Sequence, residues 1–462
     1  MLHSNPLIMS NNNYYIYNAN IINEGKIFKA DVVIQAGIIK LVLNTKQNIE
    51  DILLSEDTEF VDAKGLYLMP GVIDDQVHFR EPGGTHKADI ASESKAAAAG
   101  GITSFMDMPN TNPPTTTQEL LEEKFEIAKE KSSINYSFYM GVTNDNIDEV
   151  LKTDPKNVCG AKIFLGSSTG NMLVDNEASI EKLFATSPIL IAAHCEDEDT
   201  IKENLKEYTQ KFGDDIPVDR HATIRSEEAC YKSSSFAVNL AKKYNTRLHV
   251  LHLSTQKELE LFDHKTPIER KKITAEVCAH HLWFNFLDYE NYGSQIKCNP
   301  SIKSPDDQVG LLIGLHGNKI DVIGSDHAPH LMDEKNQKYL QSPSGVPLVQ
   351  HTLLMMLEMY HMGKISLETI VEKMCHNPAR CFQIDRRGYI RQGYAADLVL
   401  VDINKQFEVN KNNILYKCNW SPFDGYTFNT KIVSTFVNGQ RVYNDGEVDE
   451  NVKGERLQFY RD

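Results

Sequence analysis

The sequence predicts an α/β protein, a (β/α)8 barrel with a small β-sandwich domain formed from the N- and C-terminal segments. Three observations favour this fold class. Eight apolar, β-rich runs recur along the middle of the chain, helical stretches separate most of them, and both chain ends contain short β-segments. A chain of 462 residues is too long for one ordinary hydrophobic core, but this length suits a barrel with a second, small domain.

The two ends of the chain predict the small domain. Residues 13–62 contain short β-segments broken by Gly and Asn, and residues 396–446 contain similar segments. Within the second group, the pair Asn438-Gly439 between two apolar runs is a strong signal for a β-hairpin. We therefore assign residues 1–65 and 386–462 to the small β domain and residues 66–385 to the barrel.

The middle of the chain predicts the barrel strands. The eight runs are "LYLMPGVID", "ITSFMDM", "YSFYMG", "GAKIFLG", "PILIAAH", "RLHVLHLS", "KITAEVC" and "IDVIGSD". Helical stretches between them include "HKADIASESKAAAAG", "TTQELLEEKFEIAKEK", "NIDEVLK" and "SEEACYKSSSFAVNLAKKY". This alternation favours parallel strands closed into a barrel. An open doubly wound sheet is the alternative, but the Gly-rich phosphate-binding turn of its nucleotide-binding forms is not evident.

Composition excludes several classes of partner. Hydrophobic residues make up 41% and charged residues 24%, as in soluble globular proteins, and the net charge is −16. This charge disfavours nucleic acid and anionic membrane surfaces as partners. The eight cysteines are scattered without a CxxC pair, and neither a signal peptide nor an apolar run of membrane-spanning length is evident. We expect a cytoplasmic protein.

Chemically active side chains recur where the runs end, which is the edge that carries the active sites of such barrels. A lone histidine there is more often a hydrogen-bonded structural residue than a ligand, Lys162 could simply reach the barrel rim, and Asp326 could cap a turn. Independent structural roles would not favour the same edge of successive strands, so together these residues predict a metal site. The residues at the run ends are Gln76, His78, Arg80, Asp107, Asn110, Lys162, His194, His252 and Asp326.

The residue types suit zinc. Zn²⁺ accepts neutral imidazole nitrogen and carboxylate oxygen, and its catalytic sites keep one position for water. Two ions about 3.5–4 Å apart can share a hydroxide and lower its pKa toward neutrality. Protonated Lys162 has no lone pair to offer, whereas carboxylation by CO₂ would give it two oxygens, one for each ion. Carboxylated Lys162 is therefore the candidate bridge in a site for one or two Zn²⁺.

Several motifs resemble those of the dihydroorotases of the amidohydrolase superfamily, in order and in spacing, from about residue 14 to residue 445. The most specific are "REPG", where allantoinases usually have Asn in place of Arg, and "DMPNTNP". The motifs are "GVIDDQVHFREPG", "AAAAGGITSFMDMPNTNPPT", "HCED", "HVLHLST", "AEVCAHHLWF", "KCNPSIKS" and "GSDHAPH".

The resemblance implies a role for each metal-binding candidate. His78 and Asp326 would bind the more buried metal ion, and carboxylated Lys162 would bridge it to a second ion. His194 and His252 would hold that second ion. Gln76 replaces the first histidine of the usual His-x-His pair. Its amide oxygen is a weaker zinc ligand than imidazole, so Gln76 is a possible weak ligand.

The resemblance also implies the reaction, which is the reversible hydrolysis of L-dihydroorotate to N-carbamoyl-L-aspartate in pyrimidine biosynthesis. Asp326 would act as general acid and base. The protein would be a homo-oligomer, with a dimer favoured. The residues implied to bind the substrate are Arg80, Asn110 and His330 at its carboxylate and Asn299 near its ring.

Two other functions stay open. One is hydrolysis of a different cyclic amide or ureide, as in allantoinases and hydantoinases. The other is a catalytically silent homologue that acts as a structural partner of a pyrimidine-pathway enzyme, which the loss of a histidine at Gln76 would favour. Smaller departures from the family pattern are Ala279 in "CAHH", the absence of Arg from "NPSIKS", and "GVPLVQH". The presence of every other chemical position favours an active enzyme.

Overall fold

A computed structural model describes residues 12–44, 53–166 and 172–461 of the chain. The strands are β1 (Tyr14–Asn23), β2 (Lys26–Gln35), β3 (Ile38–Asn44), β4 (Glu59–Asp62), β5 (Tyr67–Pro70), β6 (Val72–Val77), β7 (Ile102–Asp107), β8 (Asn135–Gly141), β9 (Gly160–Phe164), β10 (Ile191–His194), β11 (Leu248–Val250), β12 (Ile273–Cys278), β13 (Val322–Gly324), β14 (Leu398–Asp402), β15 (Phe407–Glu408), β16 (Thr427–Phe428), β17 (Lys431–Val437), β18 (Gln440–Asn444) and β19 (Glu447–Val448).

Helices follow most of the barrel strands. The α-helices are α1 (Ile90–Ala99), α2 (Gln118–Lys131), α3 (Ile147–Val150), α4 (Glu177–Thr186), α5 (Glu198–Phe212), α6 (His221–Ile224), α7 (Glu227–Tyr244), α8 (Ala279–Trp283), α9 (Tyr289–Tyr292), α10 (Pro305–His316), α11 (Met332–Lys335), α12 (Thr352–His361), α13 (Leu367–Val371) and α14 (Asn377–Phe382). Short 3-10 turns are Val218–Arg220, Lys257–Leu261, Ile268–Arg270, Phe286–Asp288 and Gly293–Ile296, and Glu372–His376 is a π-helical turn.

The middle of the chain forms the predicted barrel. Strands β6 to β13 lie side by side in chain order and pair in parallel. The barrel is nearly closed by a parallel bridge between Val77 and His327, next to which the His78 N–H donates to the His327 carbonyl at 2.7 Å. Nearly all residues of these strands are buried, because helices cover the barrel's outer surface. The predicted fold class is confirmed, and the open sheet is excluded.

Both chain ends build one sheet, as predicted. Its strand order is β19-β18-β17-β14-β5-β1-β2-β3, and β4 pairs with β1. The predicted hairpin joins β17 to β18, and its two turn residues, Asn438 and Gly439, have φ values of 49° and 74°. Positive φ at both positions is the geometry that an Asn-Gly turn favours.

The structure divides the first predicted barrel run at Gly71. Tyr67–Pro70 pairs with β1 and β14 in the terminal sheet, whereas Val72–Val77 begins the barrel. A Cβ atom at Gly71 would lie 2.0 Å from the Thr103 hydroxyl oxygen, so a side chain does not fit there. Hydrophobicity could not reveal this division, because the residues on both sides of Gly71 are apolar and buried.

The domain boundaries at residues 65/66 and 385/386 stay predictions. Residues 1–11, 45–52 and 462 of the predicted small domain, and residues 167–171 of the predicted barrel, lie outside the described residues. None of the helices in the described ranges has the length and apolar character needed to span a membrane.

Candidate active site

The side chains selected from the sequence line one cavity of about 480 Å³ at the carboxyl ends of the barrel strands. Because parallel strands present their carboxyl ends at the same edge, residues far apart in the chain meet there. The structure thus brings every candidate except Asp107 together, and their individual chemical roles stay predictions. The candidates lining the cavity are Gln76, His78, Arg80, Asn110, Lys162, His194, His252, Asn299, Asp326 and His330.

Asp326 lies at one side of this cavity, two residues beyond β13. Its Oδ1 atom is 3.2 Å from His78 Nε2 and accepts a hydrogen bond from Gln76 Nε2 at 3.1 Å. Burial raises the pKa of Asp326, but the hydrogen bond and charge of His78, with the charges of His280 and Lys162, outweigh it and hold this pKa below its usual value. The carboxyl group is therefore ionised and suited to accept a proton or bind a cation.

Three of the cavity residues have left-handed backbone conformations. The φ angles are 63° at Arg80, 39° at His252 and 44° at Asp326. For residues other than glycine such conformations cost about 1–3 kcal/mol each and persist where the surrounding structure enforces them. The barrel therefore directs these three side chains into the cavity against the local backbone preference.

His194 and His252 form a second group, at the ends of β10 and β11. His194 Nδ1 lies 2.9 Å from His252 Nε2, and His194 Nε2 lies 2.9 Å from the Glu196 carboxylate. Burial lowers the pKa of both histidines, so their imidazole rings are neutral. Neutral imidazole is the form that binds metal ions, and a carboxylate on its other nitrogen fixes the ring orientation.

The sequence interpretation did not select Glu196, which the structure places behind His194. Arg225 pairs with the same carboxylate and also lines the cavity. Burial raises the pKa of Glu196, but Arg225 and His194 reverse this effect and bring it to about 2. The motif "HCED" contained a signal for Glu196, two residues after His194, whereas nothing nearby in the sequence indicated Arg225.

Lys162 is buried in the middle of β9, with Nζ 4.6 Å from the centre of the Phe164 ring. Burial lowers its pKa to about 7, and the charges of Asp326 and Glu276 oppose this shift only in part. A substantial fraction of the side chain is therefore the neutral amine at physiological pH. Only the neutral amine has the lone pair that attacks CO₂.

Arg80 provides positive charge to the cavity. Its Nη2 atom lies 3.1 Å from His330 Nε2, and its Nε atom donates to the Pro329 carbonyl at 3.2 Å. Among the described residues, no Asp or Glu oxygen lies within salt-bridge distance of this guanidinium group. A partly buried guanidinium group without a carboxylate partner is suited to bind an anionic ligand in two hydrogen bonds.

The two selected asparagines contact histidines. Asn110 Oδ1 lies 2.9 Å from His78 Nδ1, and Asn299 Oδ1 lies 3.1 Å from His221 Nε2. Sequence reasoning did not select His221, nor did it select Lys87, whose Nζ lies 3.0 Å from His330 Nδ1. Lys87 lies in a stretch that the sequence predicts to be helical, and no local pattern distinguishes it from a surface lysine.

Asp107, at the end of β7, has a structural role instead. Its Oδ1 atom accepts a hydrogen bond from the Phe79 N–H at 2.7 Å, and its other oxygen pairs with the buried Lys124 of α2. Phe79 separates His78 from Arg80 in the chain. The pair of Asp107 and Lys124 thus fixes the backbone from which both cavity side chains project.

The cavity has the donor set of a metal site. His252 Nδ1 and Gln76 Oε1 are buried without hydrogen-bond partners among the described residues. Three imidazoles, an ionised carboxylate and a lysine with a lowered pKa lie around the same space. Imidazole and carboxylate are ligands that divalent transition-metal ions accept, so these residues fit such an ion.

Comparison with known proteins identifies the family. The model of the amidohydrolase family matches residues 67–442. A dihydroorotase of Methanosarcina acetivorans is 33% identical over 429 residues, 89% of this chain and 88% of that protein. A dihydroorotase of Methanothermobacter thermautotrophicus is 31% identical over 392 residues, 85% of this chain and 87% of that protein.

Solved structures agree with this match. The L-hydantoinase (dihydropyrimidinase) of Arthrobacter aurescens superimposes with a TM-score of 0.88 at 27% identity and covers 96% of this chain and 98% of its own. A D-hydantoinase from Thermus, with a TM-score of 0.84 at 20% identity, shows the same fold. Since the family model spans the whole barrel and well over half of the chain, the chain belongs to the amidohydrolase family.

Proposed function

We propose that the protein is a dihydroorotase, which interconverts L-dihydroorotate and N-carbamoyl-L-aspartate in pyrimidine biosynthesis. The observation that carries the proposal is the position of Arg80. Its guanidinium group, without a carboxylate partner among the described residues, lines the same cavity as Asp326 and the histidine donors. A substrate that carries a carboxylate beside a hydrolysable ring amide matches this arrangement. Relatives named dihydroorotase, 31–33% identical over most of the chain, support it.

Zinc is the proposed cofactor, as one or two ions per chain. His194 and His252 would hold one ion, and His78 and Asp326 the other, with carboxylated Lys162 between them. When bound, zinc supplies Lewis acidity and lowers the pKa of a water molecule. The neutral imidazoles and the lowered pKa of Lys162, about 7, support this assignment.

The side chains of the cavity have distinct tasks in the proposed reaction. Arg80 and His330 bind the ring carboxylate, which orients the amide carbonyl toward Asp326. Asp326 accepts a proton from the attacking water as the new C–O bond forms. It then donates that proton to the ring nitrogen as the C–N bond breaks. In the reverse direction Asp326 removes the proton from the ureido nitrogen as the C–N bond forms, and it returns this proton to the departing oxygen as the C–O bond breaks and water leaves.

A hydantoinase-like activity is the second candidate. The structural likeness to the Arthrobacter aurescens L-hydantoinase, with a TM-score of 0.88, favours it. Hydantoins and dihydropyrimidines lack the ring carboxylate that Arg80 would bind, so this candidate leaves the guanidinium group without a partner. A silent homologue is the third candidate, but it does not explain why the donors, Asp326 and Arg80 line one cavity.

Purified protein tests the three candidates. We would measure zinc per chain and then turnover of N-carbamoyl-L-aspartate, L-dihydroorotate, hydantoin and dihydrouracil, with and without bicarbonate. We expect turnover of the first two compounds and little of the others. Rapid turnover of hydantoin with none of dihydroorotate would establish the second candidate. Folded, zinc-loaded protein that turns over none of the four compounds would contradict an enzyme of this class.

A further inference from the structure

We propose a second metal-ion site inside the barrel, formed by Asp75 of β6, His249 of β11 and Glu276 of β12, that binds a divalent transition-metal ion. None of these residues lines the active-site cavity. All three side chains have no exposed surface. The site is therefore separate from the donors assigned to the catalytic zinc, and the inference does not depend on which cyclic amide the enzyme hydrolyses.

The three ligand atoms converge. His249 Nε2 lies 3.0 Å from Asp75 Oδ2 and 3.9 Å from Glu276 Oε2, and the three atoms all lie within 4.8 Å of one another. These contacts are within ion-pair distance, but none of the three atoms has a partner with the aligned geometry of a hydrogen bond among the described residues. Side chains that approach closely without hydrogen-bond alignment and share a common centre are arranged as metal ligands are.

Gly324 packs directly against these ligands. A Cβ atom there would lie 3.2 Å from both Asp75 Oδ1 and Glu276 Oε2, and 3.0 Å from Glu276 Cδ. Glycine at this position of β13 has an extended rather than a left-handed backbone, so backbone conformation does not require it. A side chain at this position would instead press against both carboxyl groups.

Charge balance also favours a cation. Asp75 and Glu276 place two carboxyl groups in a completely buried region. Buried carboxylates persist when they are paired or bind a metal ion. One imidazole and two carboxylates form a nitrogen and oxygen ligand set that Zn²⁺ and its neighbours in the first transition row accept.

The internal site is joined to the active site through Glu276. While Oε2 faces His249, Oε1 accepts a hydrogen bond from the backbone N–H of His252 at 3.1 Å. His252 has the left-handed φ of 39° that directs its ring into the cavity. A bound ion would fix Glu276 and, through it, the backbone of His252.

Measuring the number of zinc ions per chain distinguishes the internal site from the catalytic site. The double variant His194→Ala/Asp326→Ala removes ligands from the catalytic centre, and adding His249→Gln removes one from the internal site. After expression with Zn²⁺ and desalting, we expect the double variant to retain one zinc per chain and the triple variant to retain none. Circular dichroism establishes that each variant is folded. A folded double variant without zinc would overturn the proposal, as would equal zinc in both variants.

The unaltered protein gives an independent measurement if the variants do not fold. Crystals of the zinc-loaded enzyme, measured at the zinc absorption edge, should show an anomalous peak between Asp75, His249 and Glu276, apart from any peak in the active-site cavity. Density confined to that cavity would mean that His249 holds a proton between the two carboxylates and that the internal site binds no metal. Dihydroorotate turnover of the same preparation tests the proposed function separately.

Discussion

Gln76 is the residue at which the chain departs most from the dihydroorotase pattern, and the structure shows what its side chain contacts. The amide nitrogen donates to Asp326, and the amide oxygen is buried without a hydrogen-bond partner among the described residues. An amide oxygen is a weaker ligand for zinc than an imidazole nitrogen. We therefore expect the ion beside His78 and Asp326 to be held less tightly than the ion beside His194 and His252.

Replacing Gln76 by histidine should strengthen that ion's binding. In Gln76→His we expect zinc retained after dialysis against a weak chelator to rise by up to one ion per chain, because an imidazole replaces the amide. Elemental analysis measures the change. Gln76→Asn is the matched control, since it keeps an amide and should not raise the zinc content. Equal zinc in Gln76→His and the unaltered protein would show that this position does not limit metal binding.

Arg80 should determine affinity for the substrate carboxylate. Arg80→Lys keeps the positive charge but loses the planar pair of donors, so we expect KM for N-carbamoyl-L-aspartate to rise about tenfold or more. Zinc content should stay unchanged, because Arg80 is not a ligand. Arg220→Lys is the control, since Arg220 is an exposed residue paired with its neighbour Asp219. An unchanged KM in Arg80→Lys would assign the carboxylate to other residues.

At the level of elements, the turn after β6 connects the "REPG" motif to the cavity. Gly83 has a φ of 90°, and a Cβ atom there would lie 2.3 Å from the Asn112 carbonyl oxygen. Gly84 N donates to the Arg80 carbonyl at 2.7 Å, which closes the turn. Glycine is thus required both by its backbone conformation and by the close approach of the segment after β7.

Gly83→Ala should displace this turn and with it Arg80. We expect a lower urea midpoint of unfolding and a raised KM, measured by denaturation and by steady-state kinetics. Gly65→Ala is the matched control, because Gly65 has a φ of 85° but no atom within 4 Å of its added Cβ. In Gly65→Ala we expect the free energy of unfolding to fall by about 1–2 kcal/mol because of backbone strain alone. KM should not change in this control. Equal effects in both variants would rule out the steric contact with Asn112 as the cause.

The secondary-structure elements were predictable from the sequence where one pattern, such as a continuous apolar run, was strong. All eight barrel strands fall within or overlap predicted runs, because strands of a parallel barrel are apolar throughout and helices separate them. Most cavity residues were predictable from their positions in or just after the strands, whereas Asn299 and His330 followed only from the resemblance to the dihydroorotases. Three other residues, Glu196, Arg225 and Lys87, were harder to predict from the sequence. Their roles depend on contacts between elements that are distant in the chain. The division between β5 and β6 depends likewise on contacts with Thr103 and Asp397.

At the scale of the whole molecule, the C-terminal segment packs at the end of the barrel opposite the cavity. Leu457 and Phe459 pack with Cys159, Leu190 and other residues in one apolar cluster at the starts of the barrel strands. Backbone hydrogen bonds join Leu457 to Tyr136 and Phe459 to Lys156. The last described residue, Arg461, is buried there. The chain therefore uses one end of the barrel for chemistry and covers the other with its own terminal segment.

Arg461 should contribute to stability without affecting catalysis. Its guanidinium group donates to the carbonyls of Val158, Cys159 and Phe382. All three carbonyls are buried and lie near the ends of strands or helices. Arg461→Met leaves these carbonyls without that donor, and we expect a loss of about 3 kcal/mol, seen as a lower urea midpoint.

KM for N-carbamoyl-L-aspartate should stay unchanged in Arg461→Met, because the cavity lies at the opposite end of the barrel. Arg386→Met is the control for arginine removal, since Arg386 is largely exposed and should change stability by no more than about 0.5 kcal/mol. Equal midpoints for the two variants would show that the terminal segment does not stabilise the barrel. If Arg461→Met instead raised KM and left the urea midpoint unchanged, the terminal segment would influence the cavity from the opposite end of the barrel strands.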